Sequence, residues 1–175
     1  RATFTRERRQ TRTGKRQRWS PRSDIVSVEA LPVAWMALCM GMGFGAISAF
    51  IAIFAQSHGL RNPGFYFMVQ AVSLLISRTF AGRLADRRGR TAAILPGIIL
   101  MAVALALLPP ADGIVWFVIS ATLFGFGFGM AQPATMALLI DGVLPEKRGL
   151  ATGTYFTGFD AGVAVGSILL GVIGE

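Results

Sequence analysis

Five long apolar stretches, joined by short polar connections, constrain the fold of this chain more than any other feature. Each stretch is long enough, at about 20 residues, to cross the hydrocarbon core of a bilayer as a helix. Backbone polar groups in a bilayer need partners within the protein, and none of the stretches alternates as a barrel strand does. We therefore predict an all-α, polytopic membrane protein. The predicted spans are residues 31–56, 64–82, 91–108, 113–140 and 149–173.

The composition agrees with a membrane protein and narrows the chemistry. Charged residues make up 15% of the chain and hydrophobic residues 53%, whereas a soluble domain averages about 25% charged residues. The single cysteine, Cys39, excludes an internal disulfide and a multi-thiolate metal site. The single histidine, His58, excludes metal sites built on a histidine pair. Because the chain also lacks a G-x-S-x-G string and a pair of intramembrane aspartates, we expect no enzymatic activity, no cofactor and no metal.

The positive charge is confined to the N-terminal segment. The formal net charge of +8 arises within residues 1–22, which hold nine basic residues against Glu7. Such a segment cannot bury enough apolar surface to fold alone. We interpret residues 1–30 as a basic cytoplasmic tail beside anionic headgroups. A transit peptide is an alternative. A nucleic-acid arm is disfavoured because aromatic residues are not interleaved with the basic ones, so we expect no nucleic-acid partner.

The short connections predict the orientation of the spans. Six basic residues follow the second and fourth spans, and the opposite side has Arg61 alone. Cytoplasmic loops carry the excess of Lys and Arg. We therefore expect a multi-pass protein of the cell membrane with its N-terminal tail in the cytoplasm. The first residue is Arg rather than Met, which suggests that the N-terminus of the natural protein is missing.

Two glycine triplets predict an internal repeat. They lie 84 residues apart, within residues 40–45 and 124–129, in spans that cross the membrane in opposite directions. Matching glycine-rich spans are expected of inverted three-helix repeats around a central site. Two interpretations of these glycines remain open from the sequence. They serve helix packing alone, or they serve packing and also line a cavity. With a further stripe in the fifth span, the predicted packing glycines are Gly41, Gly45, Gly125, Gly129, Gly158, Gly162 and Gly166.

Two charged residues fall inside predicted spans. Arg78 lies about 6 Å inside the second span and Asp160 about 15 Å inside the fifth, at 1.5 Å per residue. Charges at such depth are costly and are often functional. They could form a structural ion pair, Asp160 could couple protons to transport, or each could meet a partner elsewhere in a larger protein. These alternatives remain open from the sequence.

Two strings resemble signatures of the major facilitator superfamily of secondary transporters. The connection after the second span, residues 82–90, reads G-R-L-A-D-R-R-G-R, and we expect a tight turn there. Residues 144–153, L-P-E-K-R-G-L-A-T-G, resemble the entry to a later helix of that superfamily. The resemblance nominates a signature loop with a gating role, formed by Gly82, Asp86, Arg87, Gly89 and Arg90.

This resemblance implies a fold and a function. Members have twelve helices in two six-helix halves, so the five spans would be part of one half. A long basic segment before the first span is similar to the central linker between halves, which favours the C-terminal half; the N-terminal half is the alternative. The pattern is similar to drug:proton antiporters, which implies alternating access and proton-coupled efflux of a small molecule.

The resemblance also implies a substrate path. In this superfamily the first and fourth helices of each half line the path, which nominates Ala46, Ser48, Phe50, Phe124, Phe128, Gln132 and Thr135. Their apolar character suits lipophilic substrates. The expected partners are the lipid bilayer, a small-molecule substrate, protons and the remaining half of the transporter. The alternative function is a non-transporting membrane scaffold whose basic tail binds anionic lipid or a partner protein.

Overall fold

A computed structural model describes residues 30–57, 64–108 and 113–173. Within them the chain forms five α-helices: α1 over Leu31–Ser57, α2 over Gly64–Arg88, α3 over Thr91–Ala106, α4 over Ile114–Asp141 and α5 over Arg148–Ile173. One turn of 3₁₀ helix, Pro145–Lys147, leads into α5. The predicted all-α fold is confirmed. The basic tail, residues 1–29, lies outside the described residues.

Three of the helices are long and apolar enough, by length and composition, to cross a membrane. They are α2, α4 and the segment Leu31–Ala49 of α1. Helix α3 is apolar but has 16 residues. Helix α5 has 26 residues but is rich in Gly and Thr and contains Asp160. Many large apolar side chains on the outer faces of the described helices are exposed, as a bilayer or a further protein surface requires.

Helices α1 and α5 run in the same direction and meet backbone to backbone. A Cβ atom at Gly41 would overlap the carbonyl oxygen of Phe159, and one at Gly45 would overlap that of Val163. In return, the stripe of three α5 glycines faces the α1 backbone near Ala34, Leu38 and Met42, at Gly158, Gly162 and Gly166. Because only glycine leaves room for such an approach, these residues set the distance between the two helices.

Helix α4 makes the equivalent contact with α2, on the other side of the bundle. A Cβ atom at Gly125 would overlap the carbonyl oxygen of Gln70, and one at Gly129 would overlap the hydroxyl of Ser77 and approach the backbone of Leu74. As with Phe159 and Val163, the facing residues Gln70 and Leu74 are four positions apart. Both helix pairs therefore follow one packing rule, as an inverted repeat requires.

Helix α3 packs against the opposite face of α4 through a third pair of glycines. Gly97 and Gly127 each face the backbone of the other's helix, and the two helices run in opposite directions. Beside this contact the hydroxyl of Ser120 donates a hydrogen bond to the carbonyl oxygen of Ala104, at 2.9 Å. Helix α4 is thus held on two sides, by α2 and by α3.

The signature string differs from the expected turn. Helix α2 continues through residues 82–88, so only Gly89 and Arg90 connect it to α3. Gly89 takes a φ of +87°, which glycine adopts without strain. The prediction of a turn over the whole string is therefore wrong. The reason is that Leu84 and Ala85 pack against the neighbouring helices, which keeps this stretch helical beyond the apolar span.

Candidate functional site

Four phenylalanine rings meet where α1, α4 and α5 converge. The ring centroid of Phe44 lies 5.5 Å from that of Phe128, 6.1 Å from that of Phe159 and 6.5 Å from that of Phe124. Phe124 and Phe128 stack in nearly parallel planes, 6.2 Å apart. Phe124 and Phe128 are buried, whereas Phe44 and Phe159 are half-buried. We call these four residues the phenylalanine cluster.

Two members of the phenylalanine cluster occupy matching positions of the internal repeat that relates α1 to α4. Phe44 and Phe128 are 84 residues apart, the same separation as Gly41 and Gly125. Ser48 and Gln132, one turn further along each helix, share that separation. Both are half-buried. The repeats therefore place an aromatic ring and a polar side chain at matching positions of α1 and α4.

The other nominated path residues occupy different surroundings. Ala46 is buried, and it lies about 160° around α1 from Ser48 at 100° per residue, so the two residues do not share a face. Thr135 is fully buried, and its hydroxyl donates to the carbonyl oxygen of Ala131 at 2.7 Å, with the sulfur of Met40 4.0 Å away. Phe50 lies in α1, but its side chain falls outside the described residues. The structure thus brings Phe124 and Phe128 together and keeps Thr135 within the packed interior.

Sequence reasoning missed two members of the cluster, Phe44 and Phe159. Phe44 lies within the first glycine triplet, where the repeat with Phe128 could have indicated it. Phe159 lies between Gly158 and Asp160, and no sequence pattern singles it out beside them. Ser167 is a further contact between the two helices, because its hydroxyl donates to the carbonyl oxygen of Gly45 on α1 at 3.2 Å.

The signature loop is organised around Arg90. Its guanidinium Nε donates to the carboxylate of Asp141 at 3.2 Å, and Nη1 lies 3.5 Å from the carboxylate of Asp86. Asp141 is the last residue of α4, where the helix dipole disfavours a negative charge. Arg90 therefore compensates that charge and links the ends of α2 and α4 to the start of α3. The sequence did not indicate Asp141 as a partner.

The other residues of the signature loop are exposed at the same end of the helices as Arg90. Arg87 falls in the last turn of α2, where a positive charge suits the helix dipole. No heavy atom of the described residues lies near a Cβ built at Gly82. Gly82 lines a cleft of about 380 Å³ between α2, α4 and Arg90, whose other lining residues include Arg78 and Pro133.

The structure does not bring together in an ion pair the two charged residues that fall inside predicted spans. Arg78 on α2 and Asp160 on α5 are both exposed, and neither forms an ion pair with a residue that the structure describes. No group of three or more potential metal ligands occurs among the residues that the structure describes.

Comparison with known proteins gives a family and a set of relatives. The profile of the Major Facilitator Superfamily matches residues 2–171. The chain is 28% identical over 153 residues to proteins called Multidrug resistance protein MdtG, with 83% of the chain covered. The match covers 38% of the protein from Proteus mirabilis, 36% of that from Enterobacter lignolyticus and 37% of that from Citrobacter koseri. The chain thus spans less than two fifths of the length of these relatives.

No solved structure gives a significant match to the chain. The profile covers nearly the whole chain, including both strings that resembled the superfamily, and the helical architecture agrees with it. The chain therefore belongs to the Major Facilitator Superfamily, as part of a polytopic membrane protein.

Proposed function

We propose that this chain is part of a proton-coupled exporter of lipophilic small molecules, working by alternating access. The observation that carries the proposal is the phenylalanine cluster, which joins α1, α4 and α5 and leaves the rings of Phe44 and Phe159 partly exposed. Aromatic walls with few polar groups suit apolar and aromatic ligands. The relatives are called multidrug resistance proteins, which agrees with such a ligand class. Family membership does not favour the alternative of a non-transporting scaffold.

Asp160 is our candidate for the proton-coupling group. Its carboxylate is exposed on α5, one residue beyond Phe159 of the cluster. It makes no ion pair with any residue that the structure describes, so a proton can bind without first breaking a salt bridge. A carboxylate that gains and loses a proton within a membrane segment is a common coupling device in transporters. On this proposal, the ligand lies against the cluster and the proton binds one residue further along α5.

The test uses the full-length transporter in proteoliposomes with an imposed pH gradient. A panel of lipophilic dyes is followed by fluorescence, with wild type, Asp160→Asn and Glu146→Gln compared. Wild type should show gradient-driven dye movement, and Asp160→Asn should lose the dependence on the gradient. Glu146→Gln is the control, because Glu146 is an exposed carboxylate away from the cluster that forms no ion pair with a described residue. Gradient-driven transport that persists undiminished in Asp160→Asn would remove the coupling role, and its absence in wild type would remove the exporter.

A further inference from the structure

The cleft of about 380 Å³ beside α2 and α4 is lined by two arginines, Arg78 and Arg90. Its volume falls within the range of small-molecule pockets, about 300–1,000 Å³. Two guanidinium groups in a cleft whose other walls are small and apolar favour an anionic ligand. We call this cleft the arginine cleft; its other lining residues are Ala81, Gly82, Ala85, Pro133 and Ala134.

Arg78 lines the arginine cleft without a counter-charge. The residue is exposed, and it forms no ion pair with any residue that the structure describes. It lies one helical turn inside the end of the predicted span, where an uncompensated charge is costly and indicates a functional site. The planar guanidinium carries five N–H donors, which match the oxygens of a phosphate group. Arg78 therefore offers the cleft an anion-binding group that no described residue uses.

Arg90 adds further donors to the same cleft. Its Nε donates to Asp141 and its Nη1 lies near the carboxylate of Asp86, which leaves Nη2 for another acceptor. These two carboxylates do not make the surroundings negative, because residues 78–90 contain five arginines. An anion that approaches the cleft therefore enters a region of net positive charge.

The surface of α2 that leads away from the cleft favours a lipid over a soluble anion. Ala71, Leu75, Arg78 and Gly82 follow one another at intervals of three or four residues, so they lie on one face of the helix. All four are exposed, and Leu75 is 64% exposed. The apolar part of this stripe runs from Arg78 toward the middle of the predicted span. An acyl chain packed along it would place its head group at the cleft.

We propose that the arginine cleft binds the phosphate group of an anionic membrane lipid, with Arg78 as the principal ligand. On the predicted orientation the cleft lies toward the cytoplasmic leaflet, and basic pockets between helices on that side hold anionic head groups. The lipid supplies the counter-charge that Arg78 lacks and joins α2 to the start of α3 through Arg90. The arginine cleft shares no residue with the phenylalanine cluster, so this proposal does not depend on the proposed function.

Native mass spectrometry of the full-length transporter in detergent tests the proposal. The protein is titrated with phosphatidylglycerol or with zwitterionic phosphatidylcholine of the same acyl chains. Wild type should bind its first phosphatidylglycerol more tightly, and Arg78→Gln should weaken that binding about tenfold, as loss of a charge-assisted hydrogen bond predicts. Arg83→Gln is the matched control, because it removes the same charge from an exposed position of α2 that does not line the cleft. At physiological ionic strength, where charges beyond about 8 Å are largely screened, it should change the affinity by less than about threefold.

A second variant tests the cleft without changing its charge. No heavy atom of the described residues lies within 4 Å of a Cβ built at Gly82, so the side chain of Gly82→Leu can occupy the cleft. This variant should also lose the tight binding of phosphatidylglycerol. Because a ligand that binds the folded state raises the Tm, phosphatidylglycerol should raise the Tm of wild type more than that of Arg78→Gln or Gly82→Leu.

Three results would overturn the proposal. The first is equal affinity of wild type for the two lipids, or equal weakening by Arg78→Gln and Arg83→Gln. The second is displacement of the lipid by an excess of inorganic phosphate, which would show that the cleft serves a soluble anion. The third is unchanged phosphatidylglycerol binding in both Arg78→Gln and Gly82→Leu, as expected if the remaining part of the transporter fills the cleft and pairs with Arg78.

Discussion

The hydroxyl oxygen of Tyr66 on α2 lies 3.2 Å from that of Ser120 on α4, and both residues are fully buried. Because the Ser120 hydroxyl donates its proton to the carbonyl oxygen of Ala104, Tyr66 is the donor to Ser120. The chain of two hydrogen bonds joins α2, α4 and α3. It supplements the glycine contacts with a link that depends on side chains.

Removing the hydroxyl of Tyr66 should destabilise the protein modestly. Tyr66→Phe keeps the ring against Phe117, at a centroid distance of 4.9 Å, and leaves one acceptor site of Ser120 unused. The expected loss is about 0.5–1.5 kcal/mol, the net contribution of an ordinary hydrogen bond. Thermal unfolding of the full-length transporter in detergent measures it. Thr122→Ala is the control, because the Thr122 hydroxyl bonds only within α4. An unchanged Tm in Tyr66→Phe would contradict the hydrogen-bond chain.

The same substitution at Tyr155 should have no such cost. Tyr155 stands 89 residues from Tyr66, the separation that relates α5 to α2, but its buried hydroxyl has no partner among the described residues. Its ring is 1% exposed. Tyr155→Phe removes a buried group that lost its bonds to water, so stability should stay the same or rise. Comparing the Tm of the two variants tests this, and a fall in Tyr155→Phe as large as that in Tyr66→Phe would show that the hydroxyl is paired.

Replacing glycine by alanine should lower the stability where α1 and α5 are in contact and raise it at an open position of α5. Gly41→Ala places a methyl group against the carbonyl of Phe159, and forcing apart two packed backbones should cost about 1–3 kcal/mol or more. Gly153→Ala on α5 meets no heavy atom within 4 Å among the described residues and should stabilise the helix by about 0.5–1 kcal/mol. Thermal unfolding of both variants measures the contrast. Equal effects would mean that α1 and α5 are not in backbone contact.

Substituting Arg90 alone should change the free energy of unfolding only slightly. The size of that change should depend on whether Asp141 is present. The side chains of Arg90, Asp86 and Asp141 are 35%, 75% and 58% exposed, so each pair contributes less than about 1 kcal/mol. Arg90→Gln leaves Asp141 uncompensated at the end of α4, and adding Asp141→Asn should restore part of the loss. A double-mutant cycle from thermal unfolding at low and high salt measures the coupling, which should shrink as salt rises. Additive effects of the two substitutions would show that the residues do not interact.

The sequence predicts the helices and the glycine positions well because both depend on local signals. Apolar length indicates a spanning helix, and the spacing of Gly41 and Gly45 indicates a surface open to close approach. The sequence does not show which helix packs against that surface. That α1 meets α5, and that Gly41 faces Phe159, depends on how five helices are arranged around one another, which no local pattern encodes.

The candidate site also combines residues that the sequence indicates with residues that only tertiary contacts reveal. Phe124 and Phe128 could be nominated because the superfamily resemblance points to the fourth helix of a half. Phe159 belongs to a flanking helix, and it joins the cluster through its ring contacts with Phe44 of α1 and Phe128 of α4. Asp141 likewise becomes a partner of Arg90 only when the end of α4 is brought beside the start of α3. Each missed residue is defined by a tertiary neighbour rather than by its place in a motif.

The glycine contacts between α1 and α5, and between α4 and α2, join main chain to main chain. A scaffold assembled in this way does not depend on the identity of the side chains beside it. The phenylalanine rings could then be exchanged during evolution while the distances between helices stayed the same. The backbone contacts that shape the fold and the side chains that line the proposed site are thus independent, even within one residue such as Phe159. On the proposed function, a single substitution in the site can therefore change the substrate range without altering the architecture.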